Sequence, residues 1–252
     1  MKILLSGATG KMGHMITDLL KNSKQHQIVA GFAAELGPDL PYPIYLDLAD
    51  VENPEQIDVI IDFSNPASLS ALLDFGIKNN LPMVIASTGY SDEQESAIRS
   101  ASEKVAILHA KNMSLGVNVM QIIVEQLASM LKNFDIEIIE KHHRYKVDSP
   151  SGTAKMLFDA ANKGRTGSLH ALNGRTGIYD GRDKNEIGIA AIRGGTIVGE
   201  HSVIFAGEDE IIEIKHNANS RKVFANGAIQ AAEFLVEQTT GFYDMDDVLQ
   251  KK

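Results

Sequence analysis

The densest group of reactive side chains lies in residues 140–154, which read Glu-Lys-His-His-Arg-Tyr-Lys-Val-Asp-Ser-Pro-Ser-Gly-Thr-Ala. A histidine exchanges protons near neutral pH, and a lysine set among other cations can act as an acid. The Pro-Ser-Gly-Thr turn precedes a predicted helix, and the backbone N–H groups of a helix N-terminus bind carboxylates. The segment therefore predicts a cationic pocket wall for an acidic substrate, with His142 and Lys146 as the groups that move protons.

Simpler interpretations of this segment compete with catalysis. A charged run on a loop is usually a solvated surface, and Ser151 can serve only as a helix N-cap. Adjacent histidines also suggest a metal site, but His142 and His143 would point in opposite directions on a strand. Because the chain has no cysteine, and no well-spaced carboxylate completes a coordination set, we expect no metal ion here.

A glycine-rich turn near the N-terminus is the second motif. It follows a predicted strand and opens a predicted helix, an arrangement in which the backbone and the helix N-terminus bind a pyrophosphate. Its glycines are spaced G-x-x-G-x-x-G rather than G-x-G-x-x-G, and a tight turn without a ligand is the alternative interpretation. The motif predicts a dinucleotide site formed by Gly7, Ala8, Thr9, Gly10, Lys11, Met12 and Gly13.

Two further loops follow predicted strands at the same edge of the sheet. Small and polar side chains at the carboxyl ends of such strands border the nicotinamide. Ser87 and Thr88 can equally cap the next helix, which is the alternative. We expect these loops to contact the cofactor through Ala86, Ser87, Thr88, Ala110, Lys111, Asn112 and Met113.

The end of the second predicted strand bears on the choice of cofactor. An acid at this place usually binds the ribose hydroxyls of NADH. Here Ala33 and Ala34 occupy the expected contact positions, Glu35 comes late, and no arginine is present to bind a 2′-phosphate. The sequence therefore leaves both NADH and NADPH open.

The first 110 residues alternate short apolar runs with segments of helical periodicity. This pattern predicts a Rossmann-type, doubly wound parallel sheet in an α/β fold. Ser91 and Gln94 add the signature of a helix capping box. Strands are predicted over 2–6, 27–32, 57–63, 83–86 and 105–108, with helices over 11–21, from Pro66 onward, and over 91–102.

The second half of the chain predicts a smaller α+β domain with an antiparallel or mixed sheet. Residues 194–195 and 207–209 suggest hairpin turns between the last three strands, and residues 164–185 show little periodicity and suggest a long loop. Helices are predicted over 115–131, 151–163 and 219–238, and strands over 134–140, 186–193, 196–206 and 210–216.

The composition of the 252 residues excludes several classes of function. The absence of cysteine rules out thiol nucleophiles, such as those of semialdehyde dehydrogenases. A net charge of −9 argues against a nucleic-acid partner, since phosphate binding needs clustered cations. No apolar run approaches the roughly 20 residues of a membrane span, and the N-terminus enters the first strand without a secretory signal. We therefore expect a cytoplasmic protein with neither a membrane nor a nucleic-acid partner.

Together these motifs resemble the 4-hydroxy-tetrahydrodipicolinate reductases (older name, dihydrodipicolinate reductases) of bacterial lysine biosynthesis. Residues 140–154 match the family signature E-x-H-H-x-x-K-x-D-x-P-S-G-T-A completely. Residues 7–13 are similar to the family's first turn, with Lys11 where arginine is common. The segments 192–195, 198–201 and 241–249 are also similar to family patterns. The departure is at residues 33–34, where members often carry an acid followed by a base.

The resemblance implies reduction of 4-hydroxy-tetrahydrodipicolinate by NADH or NADPH to tetrahydrodipicolinate, with loss of water, in diaminopimelate and lysine biosynthesis. It implies that His142 is a proton donor or acceptor and that Lys146 is a proton donor. Substrate carboxylate would be bound by His143, Gly152 and Thr153.

The resemblance also implies the domain organisation and the assembly. Residues 1–112 with 218–252 would form the dinucleotide-binding domain, and residues 113–217 the substrate-binding and oligomerisation domain. The second domain would assemble a homotetramer.

Two other functions compete at this level. Another two-domain Rossmann dehydrogenase of a small amino or hydroxy acid, such as an aspartate dehydrogenase, would explain residues 7–13 but not residues 140–154. A redox sensor that binds the dinucleotide without catalysis would have no use for proton donors such as His142 and Lys146.

Overall fold

The structure is a computed structural model that describes residues 1–37, 39–178 and 181–250. Contacts divide the chain into two compact units, residues 1–115 with 221–252 and residues 116–220. Numbered along the chain, the strands are β1 (Lys2–Ser6), β2 (Gln27–Phe32), β3 (Ile44–Tyr45), β4 (Val59–Asp62), β5 (Met83–Ile85), β6 (Ala106–His109), β7 (Asp135–His142), β8 (His170–Asn173), β9 (Glu186–Arg193), β10 (Gly199–Ala206), β11 (Ile211–Ala218) and β12 (Gly241–Tyr243). The α-helices are α1 (Lys11–Leu20), α2 (Leu69–Lys78), α3 (Asp92–Ser102), α4 (Leu115–Met130), α5 (Gly152–Gly164), α6 (Lys222–Leu235) and α7 (Met245–Gln250).

The first unit contains a seven-stranded sheet in the order β12-β6-β5-β4-β1-β2-β3. Every neighbouring pair is parallel, which confirms the doubly wound sheet predicted from the sequence. Strands such as β4 are buried along their whole length because helices cover both faces. The carboxyl ends of these strands therefore meet at one edge, where the predicted cofactor loops begin.

Side chains of successive strand residues divide between two cores. Ile3 and Val59 pack in a core with residues of α1 and α6, whereas Leu4 and Ile60 pack in a core with residues of α2 and α3. Helix α6 approaches closely because its inner surface is mostly alanine and glycine. A methyl group at Gly227 would overlap the carbonyl oxygen of Met113, so this helix lies directly against the chain that leaves β6.

The second unit contains a five-stranded mixed sheet in the order β11-β10-β7-β9-β8, as the fold-class prediction requires. The central strand β7 runs antiparallel to β10 and parallel to β9. Helices α4 and α5 cover one face, where Ile138, Ile189 and Phe205 are buried. On β7 the buried residues alternate with partly exposed ones, so even-numbered residues face the helices.

Two predictions for this unit are wrong. The segment 164–185 is not wholly a loop, because residues 170–173 form the edge strand β8; residues 179 and 180 lie outside the described residues. Strand β8 is largely exposed, so it shows no alternating pattern that the sequence could reveal. Residues 194–195 do not form a tight hairpin between neighbouring strands, since β7 lies between β9 and β10.

Three short elements were not predicted at all. Strand β3 has two residues, β12 has three, and helix α7 has six, so none is long enough to show periodicity. Pro66 begins a short 3-10 turn over Pro66–Ser68, and α2 follows from Leu69. The capping box predicted for α3 is confirmed, with Ser91 and Gln94 bonded reciprocally.

Candidate active site

Strand β7 presents two functional side chains on one face. Glu140 and His142 are both buried, as their even positions dictate. Between them, Lys141 lies on the opposite face and pairs with Glu200 of β10 at 3.2 Å. His143 lies just beyond the strand, in the loop that leads to α5.

Glu140 is the best-partnered group of this site and has no exposed surface. Its carboxylate accepts a hydrogen bond from Nδ1 of His142 at 2.6 Å and from the backbone N–H of Ser151 at 3.0 Å. Both guanidinium Nη atoms of Arg193 also donate to it, at 2.7 and 2.8 Å. Burial raises the pKa of such a carboxyl, but these hydrogen bonds outweigh burial, so the pKa of Glu140 lies below its ordinary value. Glu140 is therefore ionised at neutral pH and acts only as an acceptor.

His142 is held by Glu140 on one side and by β10 on the other. A Cβ atom at Gly199 would lie 3.1 Å from His142 Nε2, so the glycine leaves room for the imidazole. The ring of His201 meets the His142 ring edge-to-face, with 5.1 Å between centroids. Burial lowers the pKa of His142, Glu140 opposes this effect, and the charges of Lys146 and Arg193 add to it. His142 is accordingly neutral at neutral pH.

The turn that opens α5 is attached to the same carboxylate. Ser151 is the N-cap of α5, and its hydroxyl accepts the N–H of Ala154 at 3.2 Å. The hydroxyl also lies 3.0 Å from Nε2 of His201, which is buried. Ser151 is thus an N-cap, as the simpler interpretation proposed, but it also connects the turn before α5 to Glu140 and His201. Gly152 and Thr153 are the first two helical residues beyond it.

Lys146 and His143 lie in the loop between β7 and α5. The backbone N–H of Lys146 donates to the carbonyl oxygen of His143 at 3.1 Å, which closes a turn. The Lys146 ammonium pairs with Asp148 at 2.8 Å, and its side chain is 20% exposed. Nδ1 of His143 is buried and has no hydrogen-bond partner. A buried polar atom without a hydrogen-bond partner is rare in folded proteins and calls for an explanation.

In the glycine-rich turn of the first unit, the local geometry requires glycine at two positions, for a different reason at each. Gly7 has φ +77°, the left-handed region that favours glycine. A side chain at Gly13 would overlap the carbonyl oxygens of Gly7 and Ala8, so α1 rests directly on the turn. Helix α1 begins after Gly10 with no side-chain cap. Its N-terminal N–H groups are consequently free of a competing side chain, as phosphate binding requires.

A cavity of about 420 Å³ brings the three predicted cofactor segments together within the first unit. Members of all three segments line it, together with aromatic and cationic residues that the sequence analysis did not select. The predicted residues in its wall are Lys11, Met12, Ala86, Lys111, Asn112 and Met113. The additional residues are Phe63, Arg221 and Phe224. A mainly apolar wall with a few cations suits a nicotinamide ring next to a pyrophosphate.

Asp62 is a buried acid at the edge of the sheet near the predicted cofactor loops, and the sequence analysis did not identify it. It ends β4, is buried, and accepts the Ser87 hydroxyl at 2.7 Å and the Ser64 N–H at 3.1 Å. The Tyr90 hydroxyl also points to it, at 3.4 Å. Burial, with the charge of Asp62 next in size, raises the pKa of Tyr90. Ser87 therefore holds this loop to Asp62, while Ser91 caps α3. The available signal was a single acid at the end of an otherwise apolar strand.

Arg193 and His201 are the other residues without a predicted role. Both lay in segments that were noted only for their likeness to a family pattern. Their positions follow from strand register, since His142 pairs with Arg193 and Glu140 with His201 across the sheet.

Within residues 1–37, 39–178 and 181–250, no group of three His, Asp or Glu side chains is arranged to hold a metal ion. None of the helices in this part of the chain combines the length and the apolar character needed to cross a bilayer.

The buried histidine of β10 generates a prediction about stability. Burial, with a smaller contribution from His142, lowers the pKa of His201 from 6.5 to about 4. The unfolded chain therefore takes up this proton first as the pH falls, so stability is complete above pH 6.5 and is lost towards pH 4. Between pH 7 and pH 4 the wild type should lose on the order of 2–3 kcal/mol more stability than His201→Gln, as measured by urea unfolding.

A matched control is His170→Gln, at an exposed histidine of the same unit. This variant should lose stability with pH as the wild type does. Parallel curves for the wild type and His201→Gln would show that His201 does not carry the effect.

Comparison with known proteins identifies the family. The family models "Dihydrodipicolinate reductase, N-terminus" and "Dihydrodipicolinate reductase, C-terminus" match residues 1–113 and 116–249. A 4-hydroxy-tetrahydrodipicolinate reductase of Clostridium novyi is 47% identical over 252 residues, covering 100% of this chain and 99% of the relative. The protein of that name from Brachyspira hyodysenteriae is 47% identical over 249 residues, covering 99% and 100%.

A solved structure shares the fold over nearly the full length. The dipicolinate-bound dihydrodipicolinate reductase from Paenisporosarcina sp. TG-14 has a TM-score of 0.80 at 22% identity, covering 96% of this chain and 97% of that chain. The two family models, the relatives at 47% identity and the complete 140–154 signature agree. The chain belongs to the dihydrodipicolinate reductase family.

Proposed function

We propose that this chain catalyses the NAD(P)H-dependent reduction of 4-hydroxy-tetrahydrodipicolinate to tetrahydrodipicolinate, with loss of water, in diaminopimelate and lysine biosynthesis. Membership of the family and the names of its relatives support this reaction. The single observation that carries it is the convergence on Glu140 of His142, Arg193 and the Ser151 turn. A proton-exchanging group and a carboxylate-binding turn are thereby held in one place.

The first unit is the proposed dinucleotide-binding domain. The cofactor, when bound, supplies a hydride. The residues that would hold it are those of the 7–13 turn together with loops 86–88 and 110–113. The uncapped N-terminus of α1 fits a pyrophosphate, and the cavity that Lys11 and Met12 help to line fits a nicotinamide.

The second unit is the proposed substrate domain. The substrate carries two carboxylates, and Gly152 and Thr153 lie at the N-terminus of α5, where the helix dipole favours a carboxylate. The buried, unpartnered Nδ1 of His143 offers a further contact. Positive charge along residues 141–146 attracts the dianion and offsets its charge.

Two groups are proposed to move protons. Lys146 is the proton donor, because its side chain lies in the loop that follows His142 and retains some exposure. His142 is a proton acceptor or relay, because it is neutral and fixed by Glu140. A sensor that only binds dinucleotide would not oxidise NADPH steadily when substrate is present, so turnover separates the two functions.

Lys146→Met should lower kcat by about 10²–10⁴, the usual cost of removing a positioned proton donor, while the affinity for NADPH stays unchanged. The matched control is Lys141→Met, which removes an ammonium from the opposite face of β7 and should keep kcat near normal. Thr153→Val should chiefly raise KM for the dicarboxylate. Steady-state kinetics and NADPH fluorescence titration measure these effects. A near-normal kcat for Lys146→Met would show that Lys146 is not the proton donor and is only a surface charge.

The cofactor preference should be weak. Ala33 is buried and Ala34 exposed, and neither carries a group that selects for or against a 2′-phosphate. The kcat/KM values for NADH and NADPH should differ by less than about a hundredfold, roughly 2.7 kcal/mol. Ala34→Asp should shift the ratio towards NADH, and Ala34→Arg should shift it towards NADPH. A larger preference in the wild type would mean that another residue selects the cofactor.

We propose that the second unit assembles a homotetramer through the sheet face that α4 and α5 leave uncovered. On that face Ile192 is 46% exposed and Ile211 is 69% exposed, although ion pairs such as Lys141–Glu200 accompany them. Light scattering at micromolar concentration should give about four times the chain mass of 27.4 kDa. Ile192→Glu should lower that mass, whereas a monomeric wild type would exclude the assembly.

A further inference from the structure

The environment of Glu140 goes beyond what is needed to hold a strand in place. The carboxylate receives four donated hydrogen bonds although it is completely buried. Two come from a single guanidinium in bidentate geometry, and one comes from a histidine ring nitrogen. A buried carboxylate that bonds an imidazole determines which ring nitrogen carries the hydrogen.

We propose that Glu140 and Arg193 are positioning residues of the proposed reductase reaction: Glu140 fixes His142 in the tautomer protonated at Nδ1, and Arg193 limits how strongly that carboxylate draws a second proton to the ring. Neither residue is proposed to touch the substrate. The inference rests on the proposed function for its consequence in catalysis, but the tautomer and the titration are properties of the ligand-free protein.

The tautomer follows from the inventory of donors and acceptors. An ionised carboxylate only accepts, so the hydrogen of the 2.6 Å contact lies on Nδ1 of His142. In the neutral ring the lone pair is then on Nε2. That atom lies beside Gly199, and no group among the described residues forms a hydrogen bond to it. Nε2 is consequently the nitrogen presented to a ligand, as a proton acceptor.

The charge on the ring depends on all the ionisable groups that surround it. Glu140 on the same strand favours the imidazolium, whereas Arg193 of β9 and Lys146 of the following loop disfavour it. Asp148 pairs with Lys146, and its own charge is also influenced by Arg193. His201 of β10 lies against the ring and is itself neutral. Removing Glu140 or Arg193 must therefore change the proton affinity of His142 in opposite directions.

The competing explanation is that the Arg193–Glu140 ion pair has a structural role only. In that case the Arg193–Glu140 pair would only join β7, β9 and the start of α5. Loss of either partner would loosen the same three elements and would change the His142 titration in the same direction or not at all. The direction in which the pKa of His142 shifts in each variant therefore distinguishes a positioning role from a purely structural one.

The experiment is an NMR titration of the full-length, ligand-free protein labelled with ¹³C and ¹⁵N at histidine. The signal of His142 is assigned by its loss in His142→Gln. In the wild type the ¹⁵N shifts should report hydrogen on Nδ1. Glu140→Gln should lower the pKa of His142 by about one unit and mix the tautomers, and Arg193→Gln should raise that pKa by about one unit.

Two further variants make the result interpretable. Arg193→Lys retains the charge without the bidentate geometry and should bring the titration back to near the wild-type value. It also replaces Arg193→Gln as the test of geometry if the glutamine variant does not fold. Glu200→Gln removes the carboxylate of a neighbouring ion pair on the opposite face of the sheet and should leave the His142 titration unchanged.

Shifts of the same sign in Glu140→Gln and Arg193→Gln, or a wild-type ring with hydrogen on Nε2, would overturn the proposal. The kcat–pH profile gives the link to function, because its limb assigned to His142 should move with the NMR pKa in each variant. Correct NMR shifts in a protein that does not oxidise NADPH would refute the proposed function and leave the positioning intact. Normal turnover together with an unshifted His142 titration in the variants would support the proposed function and refute the positioning role of Glu140 and Arg193.

Discussion

A carboxylate cut off from water must find its hydrogen-bond donors inside the protein, and at Glu140 this requirement determines the geometry of the second unit's site. The donors belong to β7, to β9 and to the residue that caps α5. None of them can move alone, because each departure leaves a buried charge short of a partner. A histidine, an arginine and a helix N-terminus that are far apart in sequence are thereby held as one rigid group.

The first unit also has a buried carboxylate that gathers hydrogen-bond donors, at the end of β4. Asp62 is also buried, and it collects the hydroxyl of Ser87 and the backbone of Ser64 from two different loops. In neither unit does the acid need to contact a ligand. Each acid instead converts flexible segments at strand ends into fixed surfaces, which reduces the entropy that a ligand must overcome on binding.

The parts of the fold that the sequence revealed are those with a local signal. Strand β4 is apolar up to its last residue, Asp62, and the capping box of α3 lies within four residues. The signature at 140–154 was informative because the reactive residues are contiguous. Arg193 lies 53 residues from Glu140, and its contact exists only because β7 pairs in register with β9.

The order of strands in the second sheet shows the same limit. Two glycines after β9 favour a hairpin locally, yet β7 is inserted between β9 and β10. That arrangement brings His201 beside His142, and no short-range pattern encodes it. The Asp62 network was missed for a different reason, because one acid at a strand end is too common to indicate a role.

The division of the first unit's interior has a consequence for synthesis. The core on the α2 and α3 side has all its buried residues between Leu4 and Ile107, so it can close while the ribosome is still translating the second half. The core on the opposite side needs the alanines of α6 and Met245, which are made last. Until they arrive, that core has only the residues contributed by α1 and the sheet, such as Ile16 and Leu20, to cover Ile3 and Val59. The N-terminal unit is therefore finished only by the last helices of the chain, after the contiguous unit 116–220 has been synthesised.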